Sequence, residues 1–394
     1  MAYWMDWASL LVRWLHVITA IAWIGSSFYF IWLDLSLRKR EGLPAGAKGE
    51  SWSVHGGGFY HVQKYAVAPA KMPAELHWFK YESYFTWLSG FALLAVTYYY
   101  GASTYLLDPS IASISASVAV LISIGSLAGG WLLYHWLCRS PIGRHVWVLG
   151  IIVYGLVIVA AWGYSELYSA RAALLHTGAL VATWMTANVF WVIIPNQKKV
   201  VAALKAGDEP DAALGLEAKQ RSTHNNYLTL PVLFMMLSNH YPMTFVSEYL
   251  WVLVGLVVLI GAVVRDYFNA AHAGGQGWRM RWQWPTAAAL VLGTAVWLRP
   301  TPVEVAPSAK PVSDDIAISI VNQHCMGCHA ANPTFMGYTS PPKGVVLETL
   351  DDVRRYSSQV YGQSIASRAM PLGNITKMTD EERDILAAWL AQQP

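Results

Sequence analysis

Eight apolar stretches divide the first three quarters of this chain, near residues 8–34, 82–101, 114–137, 146–166, 172–194, 226–241, 246–266 and 283–299. A helical run of roughly 20 apolar residues crosses the hydrocarbon core of a bilayer. Inside hydrocarbon only helices and closed barrels satisfy their own backbone polar groups. The pattern therefore predicts an all-α fold, a polytopic eight-helix transmembrane bundle. Composition agrees, with 55% of the 394 residues hydrophobic and 13% charged, where soluble domains carry about 25% charge. The 20 Trp and 21 Tyr belong to types that gather at membrane–water interfaces. A net charge of +3, with no basic cluster interleaved with aromatics, gives no footprint for nucleic acid.

Lys and Arg placement sets the expected orientation. Arg38, Lys39 and Arg40 follow the first stretch, and Arg139 and Arg144 follow the third. Lys198, Lys199, Lys205, Lys219 and Arg221 lie between the fifth and sixth, and Arg279 and Arg281 between the seventh and eighth. The alternate loops carry almost none, Arg171 being the main exception. Every second loop is thus expected in the cytoplasm, with both termini outside. The N-terminus lacks a basic leader and its apolar run is too long for a cleaved signal, so it reads as a retained first span. The sixth stretch is short and ends at Pro242. Cys138, alone at the end of an apolar run, reads as a small hydrophobe.

Two similar pairs suggest a 4+4 internal repeat. "WLHVITAIAW" opens the first stretch and "LLHTGALVATW" the fifth, while "ELHWFKYESYFTWLSG" leads the second and "STHNNYLTLPVLFMMLSN" the sixth. Four spans preserve orientation, so such halves would be related by an axis along the membrane normal. Chance similarity among Leu, Trp and His is the competing reading.

The end of the chain differs in kind. Residues 1–300 form the transmembrane domain, 301–313 a Pro-rich linker expected to be extended, and 314–394 a separate polar domain. That domain contains Cys325-Met-Gly-Cys328-His329, the spacing of a c-type haem attachment site. Cys325 and Cys328 would form the thioethers and His329 would be the proximal iron ligand. Met370, in "SRAMPLGNITKMTDEERDILAAWL", is the best distal ligand because it sits in a Pro- and Gly-containing loop before a capped helix. Met378 and Met336 are its rivals. Met ligation raises a haem potential. Thr379 and Glu382 spell a capping box for the last helix, expected to pack Leu386, Trp389 and Leu390 inward. A zinc site would need two further ligands at tetrahedral spacing, and only His324 is near.

Ligating residues at membrane depth are costly and mark function by default. His16 and His176 are expected in the outer part of their spans, with His240 at the outer end of the sixth. There His16 and His176 either hydrogen-bond helix backbones or hold a b-type haem, with Arg13 one turn away for a propionate. An inner group comprises His55, His61, Lys64, His77, Lys80, Thr223, His224, Asn225 and Asn226, with His135, His145 and His272 also at inner ends. Together with Phe59, Tyr60, Trp78 and Phe79 it offers cations, amides and stacking surfaces, the groups that a planar, anionic, nitrogen-rich molecule would want. His224, His61, His77 and Lys64 are the candidate catalytic residues, since a neutral His is a natural proton acceptor. The "HGGG" at 55–58 either lets backbone approach a ligand or forms a flexible turn. The 36–80 loop is long enough to be functional or disordered, and its aromatics argue against disorder.

"HGGGFYHV", "LHWFKYESYFTWLSG" and "RSTHNNYLTLPVLFMMLSNHYP", followed by "CMGCH" and "AMPLGN", resemble the bacterial membrane-bound cytochrome c urate oxidases along essentially the whole chain. The resemblance implies oxidation of urate to 5-hydroxyisourate. It also implies a class I cytochrome c domain with Cys325, Cys328, His329 and Met370 around haem c. Electrons would pass to the respiratory chain, through a soluble cytochrome c or a terminal oxidase, at the bacterial inner membrane with the cytochrome domain periplasmic. It assigns no urate site. A quinol-oxidising or generic electron-transfer membrane subunit is the alternative from another class.

Overall fold

In a computed structural model the chain is described over residues 2–65, 69, 72–245, 249–299, 311–335, 338 and 340–393. It is mostly helical. Each of the eight apolar stretches carries a helix: α1 (Ala2–Ser36), α2 (Tyr81–Leu94), α3 (Ala116–Arg139), α4 (Val146–Ser165), α5 (Ala170–Ala187), then α6 (Ile194–Ala206) as its continuation, α7 (Ala212–Leu237), α8 (Leu250–His272) and α9 (Gln283–Trp297). Five helical segments are long and apolar enough to cross a membrane: Trp7–Ser36, Ala116–Arg139, Val146–Ser165, Ala170–Ala206 and Leu250–His272. The other three stretches fall short of that measure. α2 has 14 regular residues before a wider π turn at Ala95–Tyr99, α9 has 15, and α7 begins in a polar sequence. Large apolar side chains such as Trp14, Ile21, Leu121, Leu132, Ile151, Val159 and Leu292 face outward, and so broad an apolar surface calls for a cover.

Local chemistry explains the boundaries. Ser115 and Ser169 cap α3 and α5 by accepting from the Val118 and Ala172 N–H groups, and Asp211 caps α7 by accepting from Ala213. These satisfy donors that a helix start leaves orphaned. Gly207, at φ +82°, ends α6 in the left-handed conformation that glycine adopts without strain. Pro231 lies inside α7, and a Cβ on Gly261 of α8 would stand 2.7 Å from its ring. Glycine there lets the two helices close over the proline.

Three sequence expectations need correction. Residues 195–225, expected as a cytoplasmic loop, are largely helical, because α5 runs on through a π turn at Asn188–Ile193 into α6, and α7 starts at Ala212. The seventh stretch ends later than expected, at His272, while its residues 246–248 lie outside the described ones. The fold is also not purely α. The 36–80 segment folds as an antiparallel hairpin of β1 (Ala47–His55) and β2 (Gly58–Tyr65), with His55 opposite Gly58. Gly56 and Gly57, at φ +58° and +81°, supply the two left-handed residues that a tight type I′ hairpin turn requires. The "HGGG" is thus a hairpin turn.

α1 packs on α2 and α5 on α7, the pairings that a 4+4 repeat would require. The two histidines within them behave differently: His16 reaches across to α2, while His176 bonds its own helix.

The C-terminal segment builds its own core from Ala317, Ile320, Val321, Leu347, Val353, Met378, Leu386, Ala387 and Trp389. It comprises α10 (Asp314–His324), α11 (Met326–His329), α12 (Leu350–Arg355), α13 (Ser357–Val360) and α14 (Asp380–Ala391). Of the linker expected at 301–313, residues 301–310 lie outside the described ones. Thr379 and Glu382 form the expected capping box at α14, and the Thr379 N–H holds the Glu382 carboxylate below its ordinary range. Thr379→Ala should cost about 1 kcal/mol. In a domain of this size that lowers the melting midpoint by about 4–8 °C, measurable by thermal unfolding of the full chain.

Candidate functional site

At one end of the bundle, where α3 and α8 finish, lies a polar cluster that hydrophobic packing alone would not select. From α3 come Tyr134, His135 and Cys138, and from the π turn after α5 comes Asn188. α7 contributes Arg221, His224, Asn225 and Asn226, and α8 contributes Arg265, Asn269 and His272. On α7, residues 221, 224 and 225 are spaced i, i+3, i+4, and on α8 residues 265, 269 and 272 are spaced i, i+4, i+7. Such spacings place side chains on one face of a helix.

The contacts are specific. His224 Nδ1 lies 2.7 Å from the Tyr134 hydroxyl, and Cys138 Sγ is 4.0 Å from the same nitrogen. Asn188 Nδ2 donates to the Tyr134 oxygen at 3.0 Å and to Asn225 Oδ1 at 2.9 Å, and Asn225 donates to the Met185 carbonyl. With Asn188 donating to it, the Tyr134 oxygen has its one proton left for His224 Nδ1. The neutral imidazole then carries its own proton on Nε2. Next to this set, Arg265 Nε donates to Asn226 Oδ1 at 2.7 Å and Nη2 to Asn269 Oδ1 at 3.3 Å, and the guanidinium lies 4.2 Å from the Phe28 ring centroid.

Arg221 stands apart, being 0% exposed. Nη2 makes a long 3.4 Å bond to the His135 carbonyl and sits 3.9 Å from Glu217 Oε1, and the guanidinium lies over the Tyr134 ring at 5.2 Å. Nε and Nη1 have no partner. A buried cation that is not fully hydrogen-bonded is expensive, and buried unsatisfied groups are rare enough that each calls for a reason. Ten such atoms occur among the described residues, and five belong to His135, Trp184, Asn188 and Arg221. Trp184 stacks on Tyr134 with centroids 5.0 Å apart, Arg221 lies over the same ring, and Asn188 bonds its hydroxyl. The five atoms comprise three N–H donors (Arg221 Nε and Nη1, Trp184 Nε1), one amide oxygen acceptor (Asn188 Oδ1) and one imidazole nitrogen.

Of the candidate catalytic residues, His224 lies in this cluster. His61 and Lys64 sit on the hairpin. His61 bonds Glu50 at 2.7 Å and stacks on Trp52, a bond that holds the Glu50 carboxylate below its usual range, while Lys64 pairs with Asp34. His77 meets the Phe79 ring edge-on. Lys80 Nζ lies 4.7 Å from the Tyr81 ring, and Thr223 bonds its own helix at the Lys219 carbonyl. Among the described residues no hydrogen bond, ion pair or ring contact joins His61, Lys64 or His77 to His224. Sequence reasoning passed over Tyr134, Asn188, Arg265 and Asn269, and took Arg221 as a loop charge. The polar stripe 265, 269, 272 along an apolar helix was the signal available for half of them.

His16 and His176 do not contact each other through any described hydrogen bond. His16 Nδ1 is 3.0 Å from the Thr86 carbonyl and 3.1 Å from Ser89 Oγ, and its ring fills the space that a side chain on Gly90 would need. His176 Nδ1 donates to the Ala172 carbonyl at 2.8 Å, with Nε2 buried and unpartnered. The rings of Tyr98, Tyr164 and Tyr168 surround it at 5.9, 5.7 and 4.9 Å. An Nδ1–H held by a carbonyl with Nε2 left over is how a metal-ligating histidine is oriented.

The C-terminal motif has the same feature. Residues 325–329 are all half-buried. His329 Nδ1 donates to the Val345 carbonyl at 3.0 Å, which fixes the tautomer and leaves the Nε2 lone pair for iron. A Cβ on Gly327 would meet only Phe335, at 3.9 Å. The backbone of Met370 is pinned twice, its N–H donating to the Gln363 carbonyl at 2.9 Å and its carbonyl accepting from Arg383 Nη1 at 2.8 Å. Met378 is instead buried in the apolar core, and Met336 lies outside the described residues. His324 bonds Thr376 at 2.7 Å, with Nε2 3.2 Å from Glu382 Oε1 but not aligned as a hydrogen bond. It ties α10 to α14. No group of three or more His, Cys, Asp or Glu fit to hold a metal ion occurs among the described residues. The residues present fit a haem attached through Cys325 and Cys328.

The family described as urate oxidase N-terminal has a model that matches residues 2–299. No curated protein and no solved structure matches the chain.

Proposed function

Because the chain belongs to the urate oxidase N-terminal family, we propose that this urate-oxidase-related oxidoreductase is a membrane-bound, cytochrome c-type urate oxidase. It converts urate to 5-hydroxyisourate and passes the electrons to a respiratory acceptor, a soluble cytochrome c or a terminal oxidase. The observation that carries the reading is Arg221, buried with two unpaired donors over the ring of Tyr134, whose hydroxyl bonds His224.

Urate is a planar monoanion at neutral pH, with carbonyl oxygens and ring N–H groups. Arg221 supplies a fixed positive charge and two open N–H donors, Nε and Nη1, on different edges of its guanidinium plane. Asn188 Oδ1 accepts a urate N–H, and Trp184 Nε1 donates to a carbonyl. Binding thereby supplies the partners that these buried groups lack. The urate monoanion and one water give neutral 5-hydroxyisourate, one proton and two electrons. The Tyr134–His224 pair handles a proton: as the Tyr134 oxygen receives one from the attacking water, it hands its own to His224 Nδ1. Haem c, when attached, accepts electrons one at a time. His329 and Met370 would ligate its iron, and His16 and His176 are the residues that would hold a b-type haem.

The bundle lies in the inner membrane with eight spans, both termini and the C-terminal domain being periplasmic. This placement rests on the alternation of Lys and Arg between loops, the outward apolar surface and the c-type motif, which is processed on that side. Anaerobic addition of urate to the purified full chain should reduce its haem band and yield 5-hydroxyisourate. A loaded protein whose haem stays oxidised with urate while dithionite reduces it would refute the assignment. A pyridine haemochrome spectrum with iron per chain then separates haem c alone from haem c with haem b.

A further inference from the structure

The loop that carries Met370 does not face solvent. It is seated on the membrane-embedded part of the chain. The Cβ position of Gly373 lies 2.5 Å from the Thr104 carbonyl oxygen and 2.9 Å from that of Leu107. No other residue type fits there without displacing backbone, and Gly373 also takes φ +59°. Ala369 packs on the bundle core. Across the same seam the hydroxyls of Tyr105 and Tyr338 meet at 3.2 Å. Residues 102–106 form a π turn after Gly101, and its end is tied to the bundle where the Leu106 carbonyl accepts from Ser169. The receiving surface is therefore anchored to the helices behind it.

The hydroxyl pair joins two series of rings. On the bundle side Tyr105 lies 6.3 Å from Tyr98, which lies 5.9 Å from His176. On the other side Tyr338 lies 6.4 Å from Phe335, whose N–H bonds the Gly327 carbonyl inside the Cys-Met-Gly-Cys-His motif at 2.8 Å. The rings thus run in contact from a buried histidine of α5 to the residues that would carry the haem. Burial raises the Tyr338 phenol, so this side chain stays protonated and bridges as a neutral group.

We propose that this seam, formed by Gly373 and the Tyr105–Tyr338 pair on the 102–107 segment, is the fixed entry face through which the C-terminal domain takes up electrons from the bundle. It rests on the reading of residues 325–329 and 370 as a haem c site. Each turnover delivers two electrons in succession across the seam. A haem held by Cys325, Cys328 and His329 would take them up one at a time and pass them on to the respiratory acceptor. The tyrosines serve as a bridge and undergo no net oxidation.

The test uses the full chain in detergent or nanodiscs with haem attached. Hydrogen–deuterium exchange of residues 102–107 and 372–374 should show protection in the parent protein, and Gly373→Trp should abolish it. In that variant urate-driven haem reduction should slow by about an order of magnitude or more, with reduction by dithionite complete and the Met–iron charge-transfer band retained. Tyr105→Phe, which removes only a hydroxyl, should slow the same step while leaving exchange unchanged. Free exchange at both segments in the parent protein, or parental urate-driven rates in both variants, would overturn the proposal. Absence of urate-driven reduction in the parent protein would instead count against the function itself, and the exchange result would still decide the docking.

Discussion

Arg221→Met should remove urate turnover and leave the protein at least as stable as before. The two expectations have opposite signs for one physical reason. A fully buried guanidinium with Nε and Nη1 unpaired carries a desolvation cost that its weak contacts to the His135 carbonyl and Glu217 do not offset. Replacing a buried ion by an apolar side chain of similar length is often neutral or stabilising. Losing the cation that receives a buried anion costs about 2–5 kcal/mol of binding, so kcat/KM for urate should fall by about two orders of magnitude or more. Stopped-flow reduction by urate and thermal unfolding of the unliganded protein, run on one preparation, check both halves. A variant that melts lower yet keeps its KM for urate would show that Arg221 serves the fold and not the substrate. Arg221→Lys should recover little, because a compact ammonium does not reproduce the fixed, planar spread of guanidinium donors.

This residue also shows where the sequence was hard to read. Arg221 follows four lysines between two apolar stretches, and a positively charged, polar run between spans looks like a cytoplasmic loop. It is helical because Asp211 caps α7 and Ala, Leu and Glu sustain it, and it is buried against Tyr134 and the His135 carbonyl of α3. Neither fact is local to the run. The α8 stripe of Arg265, Asn269 and His272 was legible in principle, since polar residues at i, i+4 and i+7 of an apolar helix share a face. Tyr134 and Asn188 were not, because a tyrosine and an asparagine near span ends are ordinary interfacial residues until their partners are placed. The hairpin was missed although two glycines separate two β-branched and aromatic runs, a recognised hairpin signal. What local chemistry does fix was legible: the mostly helical character of the chain and the Thr379–Glu382 capping box.

The double variant Cys325→Ala, Cys328→Ala should separate urate binding from urate oxidation. The proposed binding groups lie on α3, α5, α7 and the π turn between, and among the described residues no hydrogen bond, ion pair or ring contact joins them to residues 325–329. Urate affinity, measured by equilibrium dialysis, should therefore stay near the parental value, while urate consumption falls to background because the two electrons have no covalently held acceptor. Haem staining on a denaturing gel should disappear. The C-terminal domain should suffer further, since 314–394 is short for an independent core and domains of this size depend on a staple or cofactor. Its own apolar core is small, and His329, held by the Val345 carbonyl, would lose the iron that it is oriented to bind. Fast exchange of α10 and α14, with α7 and α8 still protected, would mark that local loss. Equal loss of urate binding would instead mean that the substrate site extends across the seam at Gly373 and includes the haem domain.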